Sequence, residues 1–216
     1  MLVSPTPLSA APLAPVGVSS SVAGPSVPTP IDTALKVHRD YQLNVLADQR
    51  TNLTGTLLED HHPGQRGLVV ALQALGRHGW HTLARARTRG HGRFRISYSP
   101  RRLGSTWLRL RFAGSVSEAS AHRRLGKLNV YRLAEASWYG GGGSLACGGA
   151  LTSSTMGVAN KTLPCGTLVT LRYGDRTVRV PVVDRGPYVA GREFDLTEAT
   201  KDALGFAGVG QVWSTS

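Results

Sequence analysis

From about residue 51 onward, apolar and polar residues alternate in short runs separated by turn residues. Phe94, Ile96 and Tyr98 interleave with Arg93, Arg95 and Ser97, and Leu108, Leu110 and Phe112 interleave with Trp107, Arg109 and Arg111. Successive side chains of a strand point to opposite faces, so this two-residue period predicts strands with one buried and one wet face. Gly76-Arg77-His78-Gly79, Gly90-His91-Gly92, Pro100 and Gly104 interrupt the runs. With 26 glycines and only 6% aromatic residues, the composition favours short strands and tight turns over long helices. No helix long enough to enter a DNA major groove is expected, and nucleic acid is not an expected partner.

These runs predict an immunoglobulin-like β-sandwich over residues 36–132, closed by a strand through Leu128 and Val130. The alternation places Arg85, Arg87, Arg93, Arg95, Arg109 and Arg111 on outward positions beside Trp107, as a basic sheet face or an ordinary solvated one. Residues 1–134 carry 18 Lys and Arg against six Asp and Glu, whereas residues 135–216 carry seven of each. All seven His also precede residue 123. Such asymmetry implies two units with different tasks. The basic unit should attract polyanions, among them anionic cell-wall polymers. Residues 1–35, rich in Pro, Ser and Ala, read as a disordered tail or a leader remnant, without a basic start or an uninterrupted apolar run. No stretch approaches the ~20 apolar residues needed to span a bilayer.

The second unit, residues 134–216, begins with a strand at Ala136–Gly140 that enters the glycine run 140–143. Thr167–Tyr173 and Thr177–Val183 read as a hairpin around Gly174-Asp175, with Pro181 marking an edge or an irregular point. Phe194-Asp195-Leu196 is a short strand. Thr197 is placed to cap a helix over 198–204 that stops at Gly205, and Gln211–Trp213 is a last strand. Cys147 and Cys165 are the two cysteines. They are compatible with free thiols or a disulfide; no CxxC occurs and no His follows residue 122, which argues against zinc.

Four motifs stand in one order: Ala136-Ser137-Trp138-Tyr139-Gly140, then Asn160–Thr167 (NKTLPCGT), then Val183-Asp184-Arg185-Gly186-Pro187-Tyr188, then Gly191–Thr197 (GREFDLT). Together they resemble the rare lipoprotein A (RlpA-like) double-psi β-barrel, which is related to expansins. The resemblance implies an all-β chain: the sandwich, then a six-stranded barrel with one short helix. It further implies peptidoglycan glycan as substrate, an extracellular location, no cofactor or metal, and a disulfide between Cys147 and Cys165 as in actinobacterial versions of the barrel. A disulfide also fits an oxidising compartment. A monomer is expected. The chain departs from the family in two places: Asn160 stands where His is usual, and Leu151–Val158 lacks the usual upstream carboxylate.

Some members of the family are lytic transglycosylases. Cleavage through an oxocarbenium-like transition state needs an acid for the leaving oxygen. In the lytic reaction the substrate's own C6 hydroxyl closes the anhydro ring, so one carboxyl group can serve as acid and then as base. Asp184 is the first candidate and Asp195 the second; held close together they would titrate as a pair. Tyr139, Asn160, Arg185 and Tyr188 are candidate glycan contacts. Asn160 can orient a sugar but cannot shuttle protons as His does. Each has a plainer reading: Asp184 as a turn former, Asp195 as a helix cap, Arg185 as a structural partner. The alternative function is a non-catalytic, expansin-like wall-binding module. A weaker third is an inhibitor or signalling barrel similar to barwin-type proteins.

Overall fold

The computed structural model describes residue 1, residues 29–38 and residues 41–216. Most of the expected N-terminal tail lies outside the described residues. Its end does not behave as a tail: Ile31 bridges to Glu118, and a strand begins at Thr33.

Nine strands build the first unit: β1 (Thr33–Val37), β2 (Asn44–Leu46), β3 (Thr51–Glu59), β4 (His62–Pro63), β5 (Val69–Gly76), β6 (Gly79–Arg87), β7 (Arg93–Tyr98), β8 (Gly104–Phe112) and β9 (Ala121–Tyr139). One sheet pairs β3 with β1, β4 and β7. The other runs β6-β5-β8-β9, with β2 added in parallel to β9. Leu53, Leu57, Phe94 and Ile96 from the first sheet meet Val70, Leu72, Leu108, Leu110 and Phe112 from the second in one core. Arg93 and Arg95 sit on β7, and Arg85, Arg87, Arg109 and Arg111 on β6 and β8. The six arginines expected on one face are therefore divided between two sheets. Alternation fixes inside and outside, but not which sheet a strand joins.

β9 does not close the first unit at Val130. It runs 19 residues without interruption, past the expected boundary. Its first half pairs with β8 and β2, and its second half with strands of the second unit. Tyr131, fully buried, marks the junction: its hydroxyl donates to Asn44 Oδ1 at 3.0 Å, and its ring lies 5.7 Å from that of Trp213. The apolar cores remain separate, one ending at Val130 and the next starting at Ala134.

The second unit comprises β10 (Gly143–Ser144), β11 (Ala150–Leu151), β12 (Val158–Ala159), β13 (Leu168–Tyr173), β14 (Arg176–Asp184), β15 (Phe194–Thr197), α1 (Glu198–Leu204) and β16 (Gly210–Ser214). Pairing runs β9-β15-β12-β14-β13-β16 and returns to β9, so six strands close a barrel. Ala134, Val158, Val169, Leu171, Val180, Val182, Phe194, Leu196 and Val212 fill it. Pro181 is not on an edge strand. It stands where β14 leaves antiparallel partner β13 for parallel partner β12, a point at which the missing N–H breaks no ladder. Thr197 occupies the N-cap of α1, yet its hydroxyl does not cap the helix: it donates to the Gly157 carbonyl at 3.1 Å. Gly205 ends the helix in the left-handed conformation, φ 69°.

Candidate active site

The site forms because β12, only two residues long, lies between β14 and β15. Ala159 pairs with Asp195 on one side and with Asp184 on the other, and Asp195 pairs in turn with Ser137 of β9. One register row across four strands thus reads Ser137, Asp195, Ala159, Asp184. Asp184 enters this row through a bulge: Val158 faces Val182 but Ala159 faces Asp184, so β14 spends an extra residue, Val183. A bulge re-aims the side chain that follows it. With strands ~4.8 Å apart, the two aspartate backbones stand two spacings, about 10 Å, from each other.

Asp184 is half-buried, and its Oδ1 accepts the N–H groups of Ala146 at 2.9 Å and Arg185 at 2.8 Å. Both bind the same oxygen, so Oδ2 takes part in neither bond. Asp195 is also half-buried and accepts the Ser137 hydroxyl at 2.7 Å. Burial raises its carboxyl above the ordinary range, and the Asp184 charge raises it further, against lowering by Ser137 and Arg192. The methyl of Ala159 does not screen one aspartate from the other. Tyr139 completes the group. Burial pushes its phenol up, and the charges of Asp184 and Asp195 push it further. Its hydroxyl is buried beside Asp184 without a well-aligned hydrogen bond among the described residues.

The remaining candidates are placed differently. Asn160 is buried, and its side chain is committed to the scaffold: Oδ1 accepts Thr162 N–H at 3.0 Å and Leu163 N–H at 2.8 Å, while Nδ2 donates to the Glu193 carbonyl at 3.0 Å. Its own N–H donates to the Asp184 carbonyl at 3.1 Å, so it steadies the strand end that carries the aspartate. Arg185 turns from the carboxylates. It donates to the carbonyls of Asn160 and Leu163 at 3.1 and 3.0 Å, and it lies 3.1 Å from Cys165 Sγ. Tyr188 stands 82% exposed on the loop after Asp184. Cys147 and Cys165 form a disulfide. Its loop delivers Ala146 N–H to Asp184, and Cys147 N–H to the Val183 carbonyl at 3.1 Å.

Sequence reasoning missed Ser137 and Ala146. Ser137 was discoverable, since it lies two residues before Tyr139 on the same alternating face. Ala146 acts through its backbone, which leaves no trace in residue type. Trp138 points away from the site, to the surface, where Lys201 Nζ lies 4.3 Å from its ring centroid.

Residues 133–213 match the family model described as "Lytic transglycolase". A probable endolytic peptidoglycan transglycosylase RlpA of Aquifex aeolicus is 42% identical over 84 residues, 37% of each chain. One from Synechocystis is 40% identical over 85 residues, 36% of this chain and 26% of the relative. The chain thus spans 37% of the length of one curated relative and 26% of the other. Among solved structures, Streptomyces papain inhibitor aligns with a TM-score of 0.33 at 30% identity, over 38% of this chain and 91% of that protein. The ordered motifs, the closed ring of six strands and the matched segment agree, and residues 133–213 form a double-psi β-barrel of the rare lipoprotein A-like kind.

Proposed function

We propose that the barrel acts outside the cytoplasm on peptidoglycan glycan, as a lytic transglycosylase with Asp184 as acid/base and Asp195 as its coupled partner. The observation that carries this reading is the placement of both carboxylates in one register row, either side of Ala159. In the reaction, Asp184 gives a proton to the glycosidic oxygen as the bond to C1 of N-acetylmuramic acid breaks. The C6 hydroxyl of the same sugar then bonds to C1, and its proton goes to the carboxylate. The anhydro ring forms without an attacking water, so a single acid/base position suffices. Asp195 fits the role of the coupled partner that stores a proton for Asp184, because burial and the Asp184 charge favour its neutral form. The Tyr139 hydroxyl stands ready to donate to substrate or carboxylate. Tyr188, exposed beside the site, supplies a face on which a sugar ring can stack. Location outside the cytoplasm rests on the peptidoglycan substrate named for the relatives and on the disulfide.

The test is incubation of the protein with purified glycan strands and mass spectrometry for 1,6-anhydromuramyl ends. Their appearance supports the proposal. Glycan binding without such ends favours the second reading, a non-catalytic wall-binding barrel. One observation speaks for that alternative: Asn160 holds its loop and has no proton to exchange.

A further inference from the structure

The outer surface of the sheet β6-β5-β8-β9 carries a second feature. Strands β2, β5, β6 and β8, with residues 121–131 of β9, contain no Asp or Glu. They do contain Arg85, Arg87, Arg109, Arg111, Arg123, Arg124 and Lys127. Ala71 of β5 pairs with Arg85 on one side and Arg111 on the other, so a single methyl floors the gap between two guanidinium side chains. An open groove of about 410 Å³ follows β5 there, lined among others by Val69, Ala71, Gln73, Thr82, Arg85 and Arg111. A second hollow, of about 350 Å³, shares Gly67 with it and is lined by Arg66, Arg87, Arg89 and Arg95. Among the described residues, none of Arg66, Arg85, Arg87, Arg89, Arg95 or Arg111 pairs with a carboxylate. Glu118, which accepts from Ser115 at the groove's end and from Gln65, is buried, and Glu59 accepts the Gln65 N–H. Burial, and after it the neighbouring Arg111, lower the pKa of Arg109.

We infer that this track of arginines, from Arg111 and Arg85 through Gly67 to Arg66, Arg87, Arg89 and Arg95, binds a linear phosphodiester polymer that lacks bases. Six cations along two hollows that share Gly67 suit a chain of repeated charges better than a single ion. Guanidinium forks take phosphate oxygens two at a time. Two features speak against nucleic acid. The gap between Arg85 and Arg111 spans two strand spacings, about 10 Å, too narrow for a duplex. Single strands are held by bases stacked on open aromatic faces; the face of Trp80 is covered by Arg109, 4.3 Å from its centroid, and Trp107, exposed on β8, lines neither hollow. The inference stands on the sandwich alone and does not require the barrel to cleave glycan.

The experiment uses the full chain and labelled poly(glycerol phosphate), with polygalacturonate and a single-stranded oligonucleotide as competing probes, titrated over a range of salt. Poly(glycerol phosphate) should bind most tightly. The R85Q/R111Q variant should lose about tenfold in affinity, and its slope of log affinity against log salt should fall by about 1 to 2. R85K/R111K, which retains the charges but not the forks, should fall between them. All three proteins should melt alike, and all should behave the same on phosphate-free glycan strands. Unchanged polymer binding in R85Q/R111Q overturns the site. Equal or tighter binding of the oligonucleotide or of polygalacturonate overturns the ligand class.

Discussion

Asp184 and Asp195 sit at matching register on the two strands that flank Ala159, one on each side of its methyl group. In sequence they are eleven residues apart, separated by an exposed loop that carries Tyr188. The bulge at Val183 is what brings Asp184 level with Asp195: without the extra residue, Val183 would occupy that position. The chemistry of the site therefore depends on a backbone irregularity as much as on the two carboxylates.

Replacing Asp184 by Asn keeps an oxygen that can accept the N–H groups of Ala146 and Arg185 but removes the exchangeable proton. Asp184→Asn should lower formation of anhydro ends by at least ~10²-fold and leave stability within about 1 kcal/mol of wild type. Asp184→Ala should lose activity and also about 1–3 kcal/mol, since two backbone donors lose their acceptor. Product mass spectrometry and thermal melts separate the two effects. An Asp184→Asn protein that still releases anhydro ends would remove Asp184 from the mechanism.

Asp195 should leave a mark on the pH dependence of stability. Its folded carboxyl is raised above the unfolded value of 3.8, so the native state holds the proton more tightly than the unfolded chain does. Stability contributed by this group is full below pH 3.8 and is lost as pH rises through the folded value. Charging the half-buried Asp195 costs stability, a cost that Asp195→Asn removes. The variant should gain stability relative to wild type as pH increases above 3.8, and the two should converge below it. Urea melts between pH 3 and 8 measure the difference; a gap that widens toward low pH contradicts the assignment.

Much of this site could be read from residue order. The motif around Asp184, the short strand at Asp195 and the paired cysteines all lie where their neighbours imply. The continuity of β9 was also written in the chain, because Lys127–Tyr139 contains no Gly or Pro to break a strand. The change of charge near residue 134 suggested a break there, but surface charge does not govern backbone pairing. The commitment of Asn160 was not legible. An amide side chain has two donors and an acceptor to place, and which backbone groups it meets is settled by loops brought together only on folding. The division of arginines between two sheets was hidden for the same reason, since pairing partners are distant in sequence.

Tyr139→Phe isolates a hydroxyl that is buried without a well-aligned partner. Removing it relieves an unpaired polar group, so the variant should melt within about 1 kcal/mol of wild type or slightly higher. Turnover on glycan should nonetheless fall by about tenfold, a modest share of what positioned proton-transfer groups supply. Loss of stability beyond ~1 kcal/mol would show that the hydroxyl serves the fold instead.

The disulfide should couple redox state to the site. Cys147→Ser with Cys165→Ser, or treatment of the wild type with reductant, should destabilise the barrel by about 3 kcal/mol in the chain-entropy view of a cross-link. It should also reduce activity at temperatures where the protein remains folded. The linked loop presents Ala146 N–H to Asp184 and Cys147 N–H to the Val183 carbonyl. Circular dichroism and product assays on the same samples report both effects. Full activity in a folded, reduced protein would detach the loop from the mechanism.

The unbroken run of β9 has a mechanical consequence. A strand of 19 residues at ~3.3 Å each extends for roughly 60 Å, and it belongs to both ladders at once. The two halves cannot swivel as beads on a tether do, because rotation between them would unzip pairs to β2 on one side and β16 on the other. Tyr131, locked between Asn44 and Trp213, and Arg132, which donates to Glu193 at 2.9 Å, brace the crossing. If the sandwich is moored to a polymer as proposed, it would act as the fixed jaw of a caliper, holding the two carboxylates at a constant reach from the mooring point, so that they meet only strands that pass at that distance.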